Sequence, residues 1–302
     1  MYDIIIIGAG PAGMTAAIYA RRASKSVLLL ESKSYGGQII NTPDIENYPV
    51  EAHISGFDFA QKLYEQTKAL GAEFKFEKAV EIKDEGSTKT VVTVKDSYTA
   101  KAVIIATGSE NRKLGVEGED KLVGRGISYC ATCDGAFYRN KVVAVVGGGN
   151  TALEDALYLA DLAQTVYLIH RRDEFRGEEA NAERLREREN VKLVLNSTVT
   201  KLNAEKRLKS IEVTNKNGEV TELEVNGLFV AVGRVPENQN FASVAELDQA
   251  GYVAASENCR TKTPGIFAAG DNRVKEVRQL VTAASDGAVA ATEAVKYIAS
   301  LK

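Results

Sequence analysis

Cysteine is scarce: Cys130, Cys133 and Cys259 are the three in 302 residues. An odd count with no signal peptide excludes the disulfide framework of a small secreted domain. Long apolar runs are absent too. The early run Ile4 to Ile7 leads straight into a glycine turn, whereas a membrane helix needs about 20 apolar residues. It is not a signal sequence, because no basic stretch precedes it and no cleavage pattern ends it. The expected compartment is the cytoplasm, with no membrane partner. Positive charge is not in excess, since 38 Lys and Arg face 41 Asp and Glu for a net charge of -3. A broad nucleic-acid surface needs a basic excess to neutralise phosphates, so no nucleic-acid partner is expected. Histidine is limited to His53 and His170. With Cys259 these form no second spaced pair, so the C-x-x-C motif lacks a zinc ligand set and no metal is expected. Cys259, in Glu257-Asn258-Cys259-Arg260, reads as an ordinary side chain.

What the chain does have is one glycine-rich loop written twice. Gly8-Ala9-Gly10-Pro11-Ala12-Gly13 and Gly147-Gly148-Gly149-Asn150-Thr151-Ala152 align position for position. Each follows a short apolar strand, Tyr2 to Ile7 and Lys141 to Val146. Each precedes an expected helix, Met14 to Ala23 and Leu153 to Leu162, and then a second strand, Val27 to Glu31 and Thr165 to His170. Further along, alternating segments with turn signals recur at Glu73 to Val94 and Lys192 to Leu223, with Asn217-Gly218 as a hairpin turn. Apolar strands ending in glycine follow at Ala102 to Gly108 and Gly227 to Gly233.

A last strand, Thr263 to Asp271, and a helix from about Gln279 to Leu301 lie beyond the second repeat. They imply that the chain returns to the first domain. The expected fold is α/β: two Rossmann-like, three-layer ββα dinucleotide-binding domains, the second inserted into the first. The boundaries expected are 1–113 plus 242–302 for the outer domain and 114–241 for the inserted one. At 302 residues, two domains of ordinary size fit.

The two loops differ where a ribose is read. In such loops the first glycine permits the tight turn, the second lets backbone approach a pyrophosphate, and the third packs helix on strand. The pyrophosphate meets free N–H groups at the helix N-terminus. Glu31 stands where a carboxylate holds both ribose hydroxyls. Counting the same distance from Gly147 reaches His170, followed by Arg171, Arg172 and Arg176. Guanidinium groups bind a 2′-phosphate that a carboxylate would repel, so this site should prefer NADPH to NADH. The alternative is a solvated basic turn balanced by Glu174, Glu178 and Glu179. Two such sites in one chain suggest one bound flavin and one exchanging nicotinamide. The first, with Glu31 and the C-terminal return, is the better candidate for FAD.

Cys130-Ala131-Thr132-Cys133 lies between the loops. At this spacing the thiols can close a small disulfide ring, and a thiolate there can be stabilised below the ordinary thiol pKa of about 8.5. Asp134 either serves the departing thiolate as acid or base or simply forms the turn with Gly135.

The motifs Gly8 to Gly13, Gly36-Gly37-Gln38, Glu46-Asn47-Tyr48-Pro49, Ala106-Thr107-Gly108, Tyr129 to Gly135, Gly147 to Ala152, His170 to Arg176 and Ala269-Gly270-Asp271 occur in this order. Together, over nearly the whole chain, they resemble the low-molecular-weight thioredoxin reductases of bacteria, a branch of the class-II pyridine nucleotide-disulfide oxidoreductases. The resemblance implies a homodimer that passes electrons from NADPH through FAD to the Cys130–Cys133 disulfide and on to thioredoxin. It implies FAD contacts from Gly8, Gly10, Pro11, Ala12, Gly13, Glu31, Gly36, Gly37, Gln38, Asn47, Thr107, Gly108, Asp271, Arg278, Gln279 and Leu280. It implies NADPH contacts from Gly147, Gly149, Asn150, Thr151, His170, Arg171, Arg172, Arg176 and Gly233. Cys133 would face the flavin, Cys130 would attack the partner disulfide, and Asp134 would be the acid–base group. Val50-Glu51 after Pro49, and Glu237 before Asn238, depart from the commonest pattern without touching these groups.

Both the dithiol and the nicotinamide would sit in the inserted domain, yet each must reach the flavin. A rotation about linkers near 113–117 and 239–245 is therefore expected. Other readings are a reductase of a peroxiredoxin or glutaredoxin-like acceptor, ferredoxin as electron donor, or a flavin redox sensor that does not turn over. No thioredoxin-like module is expected ahead of Tyr2, which opens the first strand.

Overall fold

Every side chain of the strand Tyr2–Ile7 beyond Asp3 is apolar and almost wholly covered, because the strand is sandwiched on both faces. Ile4 and Ile6 pack toward helices, and Ile5 and Ile7 pack toward an antiparallel meander. Alternate residues of a strand point to opposite faces, so a strand buried on both must be apolar throughout. Each such isoleucine contributes about 1.5–3 kcal/mol on burial. The computed structural model describes residues 1–42 and 44–301. Pro43, and Lys302 at the end of the expected outer domain, lie outside them.

The chain divides into two units, Met1–Glu110 with Val235–Lys302, and Asn111–Arg234. Both junctions fall a few residues before the boundaries expected from the sequence. In the first unit the sheet order is Glu73–Lys75, Val27–Leu30, Tyr2–Ile7, Ser97–Ile105, Thr88–Thr93 and Ala79–Glu85. The first four strands run parallel. Ser97–Ile105 pairs antiparallel with the meander through its first half and parallel with Ile266–Ala268 through its second. Helix Pro11–Arg22 covers one face together with the C-terminal helix Leu280–Ser300. These two helices touch at Gly287, where a Cβ would lie 2.2 Å from the Ala12 carbonyl oxygen.

The second unit repeats the plan. A parallel sheet runs Val191–Val194, Thr165–Ile169, Val142–Gly147, Gly227–Ala231 and Ile127–Ser128. Val143 and Val145 face the helices, and Ala144 and Val146 face a three-stranded antiparallel layer, Ser197–Ala204, Leu208–Asn215 and Val220–Glu224. Gly218 turns the last hairpin at a φ of 84°. Each unit is thus a three-layer ββα sandwich.

The structure corrects the helix starts. The helices expected from Met14 and Leu153 begin at Pro11 and Asn150. The second glycine-rich residue of each loop, Gly10 or Gly149, is the N-cap, so the rest of the loop is already the first helical turn. Pro11 suits that turn because its missing N–H would have had no partner there.

A buried charge cluster latches the Gly270–Asp271 turn to the C-terminal helix. Asp286 accepts from the Gly270 N–H at 2.9 Å, from Arg273 Nε at 2.8 Å and Nη2 at 2.7 Å, and from Lys275 Nζ at 2.9 Å. Burial alone would raise the Asp286 carboxyl, but the bonds from Arg273, Lys275 and Gly270 outweigh it and hold it below the usual carboxylate range. Removing the acid leaves buried cations without their counter-ion, a change worth about 3–5 kcal/mol. Asp286→Asn should therefore lower the urea midpoint of the chain, read by circular dichroism. An unmoved midpoint would show that the latch carries no stability.

Candidate functional site

In the first unit a series of contacts links the sequence motifs around the first glycine loop. Gly8 adopts a φ of 109°, and a Cβ there would lie 2.3 Å from the Ala106 carbonyl oxygen. A Cβ on Gly13 would lie 1.9 Å from the Gly8 carbonyl oxygen, so this glycine lets helix sit directly on strand. Glu31 accepts the Ala9 N–H through Oε2 and the Lys33 N–H through Oε1, both at 2.8 Å, which fixes its carboxylate beside the turn.

Gly36 donates to the Ala9 carbonyl at 2.8 Å, and a Cβ on Gly37 would be 3.4 Å from Gly10 Cα. The segment containing Gln38 is thereby held at the mouth of the loop. Asn47 Nδ2 donates to Gln279 Oε1 at 3.3 Å, just ahead of Leu280. Gly270, preceding Asp271, approaches the loop at Ala12. Gly108 at a φ of 69° faces open space.

Asn238 and Asn272, which the sequence reading did not select, tie this rim together. Thr107 Oγ1 donates to Asn238 Oδ1 at 3.1 Å, Asn238 Nδ2 donates to the Asn272 carbonyl at 2.8 Å, and Asn272 Nδ2 donates to the Ile105 carbonyl at 3.0 Å. The Arg278 guanidinium stacks 4.3 Å from the Tyr252 ring centroid. Among the described residues Arg278 Nε and Asn272 Oδ1 are buried without a hydrogen-bond partner. Orphaned buried polar atoms, free helix N–H groups and glycines open to approach fit a bound dinucleotide.

In the second unit the arginine turn is clipped to the glycine loop. Arg176 and Gly177 N–H groups donate to the Gly148 carbonyl at 2.6 and 3.2 Å, and the Glu178 N–H donates to Asn150 Oδ1 at 2.7 Å. His170 lies under the loop rather than beside it. Its ring would meet a Cβ on Gly148 at 2.2 Å, stacks on Phe175, and places Nε2 3.1 Å from the Glu174 carbonyl. Burial, with help from Arg176, Arg171 and Arg172, pushes its pKa down, so the ring is neutral.

Arg171, Arg172 and Arg176 are exposed, and none makes an ion pair among the described residues. Glu179 pairs with Arg186 instead, so it does not balance them. Within the loop Gly149, and after the strand Gly227–Ala231 Gly233, have open space where a Cβ would go.

Cys130 and Cys133 are joined as a disulfide with Cα atoms 5.3 Å apart. Cys130 is the N-cap of the one-turn helix Ala131–Asp134, and Cys133 lies within it. Asp134 directly follows, and burial raises its carboxyl against an opposing hydrogen bond from Ser128. Cys259 is a free thiol pushed up to about 12 by burial and by Asp286, so it is unreactive. Among the described residues the one cluster of possible metal ligands is Asp44, Glu46 and His53, partly to fully exposed and without a cysteine. No helix among them is long and apolar enough to cross a membrane.

Residues 2–288 match the family described as pyridine nucleotide-disulphide oxidoreductase. A thioredoxin reductase of Listeria innocua is 44% identical over 304 residues, covering 100% of this chain and 95% of that protein. The solved thioredoxin reductase of Streptococcus pyogenes is 42% identical, covers 100% of this chain and 99% of its own, and overlays with a TM-score of 0.95. That of Lactococcus lactis, described as in its FR conformation, is also 42% identical with full coverage of both chains, at a TM-score of 0.69.

Proposed function

The chain belongs to the pyridine nucleotide-disulphide oxidoreductase family, and on that premise we propose that it is an NADPH-dependent thioredoxin-disulfide reductase. The observation that carries the proposal is the closed Cys130–Cys133 disulfide in the unit that also bears the arginine-flanked glycine loop. The first unit is assigned FAD, held by Gly8 to Gly13, Glu31, Gly36 to Gln38, Asn47, Thr107, Gly108, Asp271 and Arg278 to Leu280. The second is assigned NADPH, held by Gly147 to Thr151, Arg171, Arg172, Arg176 and Gly233. Bound flavin supplies two-electron chemistry between nicotinamide and disulfide.

The chain's own residues do the rest. Arg171, Arg172 and Arg176 hold the 2′-phosphate, and neutral His170 supports the loop from beneath. The Cys130 thiolate attacks the partner disulfide, forming a mixed disulfide and releasing one partner thiolate. Asp134, whose carboxyl burial raises above the ordinary carboxylate range, gives that thiolate its proton. Cys133 then attacks Cys130, re-forming the intramolecular disulfide and releasing the second partner thiol.

Because the dithiol and the arginine-flanked loop share one unit and each must reach the flavin of the other, whole-unit rotation is part of the proposed cycle, in a homodimer working in the cytoplasm. The discriminating assay mixes purified flavoprotein with NADPH or NADH and an oxidised bacterial thioredoxin. Turnover with NADPH well above that with NADH is expected. Flavin reduction without onward transfer would favour the sensor, and transfer only to other acceptors would favour the alternative reductases.

A further inference from the structure

The proton step just described rests on an acid that needs a stable setting in both of its states. Asp134 is half-buried, its carboxyl oxygen Oδ1 has no hydrogen-bond partner among the described residues, and its backbone N–H is committed to the Cys130 carbonyl at 3.1 Å. Beside it lies Ser128, 4% exposed and fixed in the parallel strand Ile127–Ser128 opposite Phe229. Its Oγ accepts the Cys130 N–H at 3.0 Å and donates to the Cys130 carbonyl at 3.2 Å. The Asp134 N–H and the Ser128 hydroxyl meet on the same Cys130 carbonyl, which sets the hydroxyl beside the acid. A hydroxyl has one proton to donate and two acceptor positions. With the Cys130 N–H fixed on it, it has two competing acceptors for that proton.

We propose that Ser128 is a positioning residue for thiol exchange: its hydroxyl donates to the Cys130 carbonyl while Asp134 is protonated, and turns to the carboxylate when Asp134 has given its proton away. The Cys130 carbonyl tolerates the switch because the Asp134 N–H still bonds it. The accompanying step balances simply. A bond forms between Cys130 Sγ and one partner sulfur as the partner S–S bond breaks. The electron pair leaves on the other partner sulfur, which takes the Asp134 proton. The carboxylate left behind then receives the Ser128 hydroxyl. This builds on the reductase reading and adds what sets the acid.

Few other groups confront the acid. Tyr138 follows on the next turn with Arg207 beyond it, Cys133 stands on its own turn, and helix Asn150–Ala160 presents Tyr158 against Gly135. None of these supplies the carboxylate with a short hydrogen bond among the described residues. Ser128 alone opposes the burial that raises Asp134, so its loss raises the acid further. A hydrogen bond to a charged group sets the size of the shift at about one pH unit.

The test uses the full chain, reduced with dithiothreitol and freed of it, then mixed with excess oxidised bacterial thioredoxin in rapid-quench runs across pH. Wild type should lose exchange rate as pH rises through the Asp134 titration, and Asp134→Asn should lack that limb. Ser128→Ala should move the limb up by about one pH unit, Ser128→Thr should return it, and Ser128→Ala should add no shift in the Asp134→Asn background. The carboxyl stretch of isotope-labelled Asp134, followed by infrared spectroscopy in wild type, gives a second reading that needs no variant to fold. It should report a carboxylate hydrogen-bonded at high pH. A Ser128→Ala limb superposed on wild type, or an infrared signal of an unbonded carboxylate, overturns the inference. Failure of wild type to exchange at any pH would instead overturn the reductase reading beneath it.

Discussion

Serine in place of either Cys130 or Cys133 should reduce NADPH-driven reduction of thioredoxin by on the order of 10³-fold or more, because hydroxyl oxygen cannot replace a thiolate in disulfide exchange. Bleaching of the flavin by NADPH should persist in both variants, since neither sulfur belongs to a glycine loop or to the arginine turn. The two variants should part in one respect. Cys133→Ser keeps the attacking thiol and loses the resolving one, so it should accumulate a covalent adduct with thioredoxin, visible by intact mass. Cys130→Ser should not. Adducts formed equally by both would show that the two sulfurs are interchangeable and that the roles assigned to them are wrong. Residual turnover near wild type in either variant would remove the dithiol from the reaction altogether.

The second large effect belongs to the arginine turn. In Arg171→Gln/Arg172→Gln, two charge-assisted contacts to the 2′-phosphate disappear, each worth about 1.5–3 kcal/mol. kcat/KM for NADPH should fall about 10²-fold or more, almost all of it in KM, while kcat at saturation stays close to wild type. NADH has no 2′-phosphate, so its kcat/KM should change by no more than about threefold. The exposure of these guanidinium groups is what makes the expectation sharp: among the described residues they make no ion pair whose loss would unfold the turn. Equal losses with both nucleotides would mean that the arginines shape the loop instead of reading the phosphate.

Much of this site was legible in sequence because its parts are local. A turn that must bring backbone onto backbone demands glycine at fixed offsets, and Gly8 and Gly13 meet their neighbours at distances no Cβ allows. The dithiol is four residues long and closes on itself. The central parallel strands read as continuous apolar runs because both of their faces are covered. Less legible was where the helices begin, since Pro11 and Asn150 look like loop and prove to be first-turn residues.

The partners that hold the site were not legible at all. Asn238 meets Thr107, and Asp286 meets Gly270, across stretches of chain whose approach follows only from the packed sheet. Ser128 lies two residues from Cys130, yet a lone serine before a cysteine signals nothing until the strand Ile127–Ser128 fixes its direction. His170 shows the opposite limit. Its position in the repeat suggested a nucleotide contact, whereas its ring packs under Gly148. Val50, where the family pattern has glycine, adopts a φ of 79° and is fully exposed, so the turn accepts a β-branched residue in the left-handed region with strain but without a clash.

The most direct measurement is a thiol count on the purified flavoprotein under anaerobic conditions, before and after one equivalent of NADPH. The account predicts that two thiols per chain, Cys130 and Cys133, become reactive under native conditions as the nucleotide is oxidised, with Cys259 silent until the chain is unfolded. A protein that retains no flavin, or whose two sulfurs remain joined under excess NADPH, would contradict it.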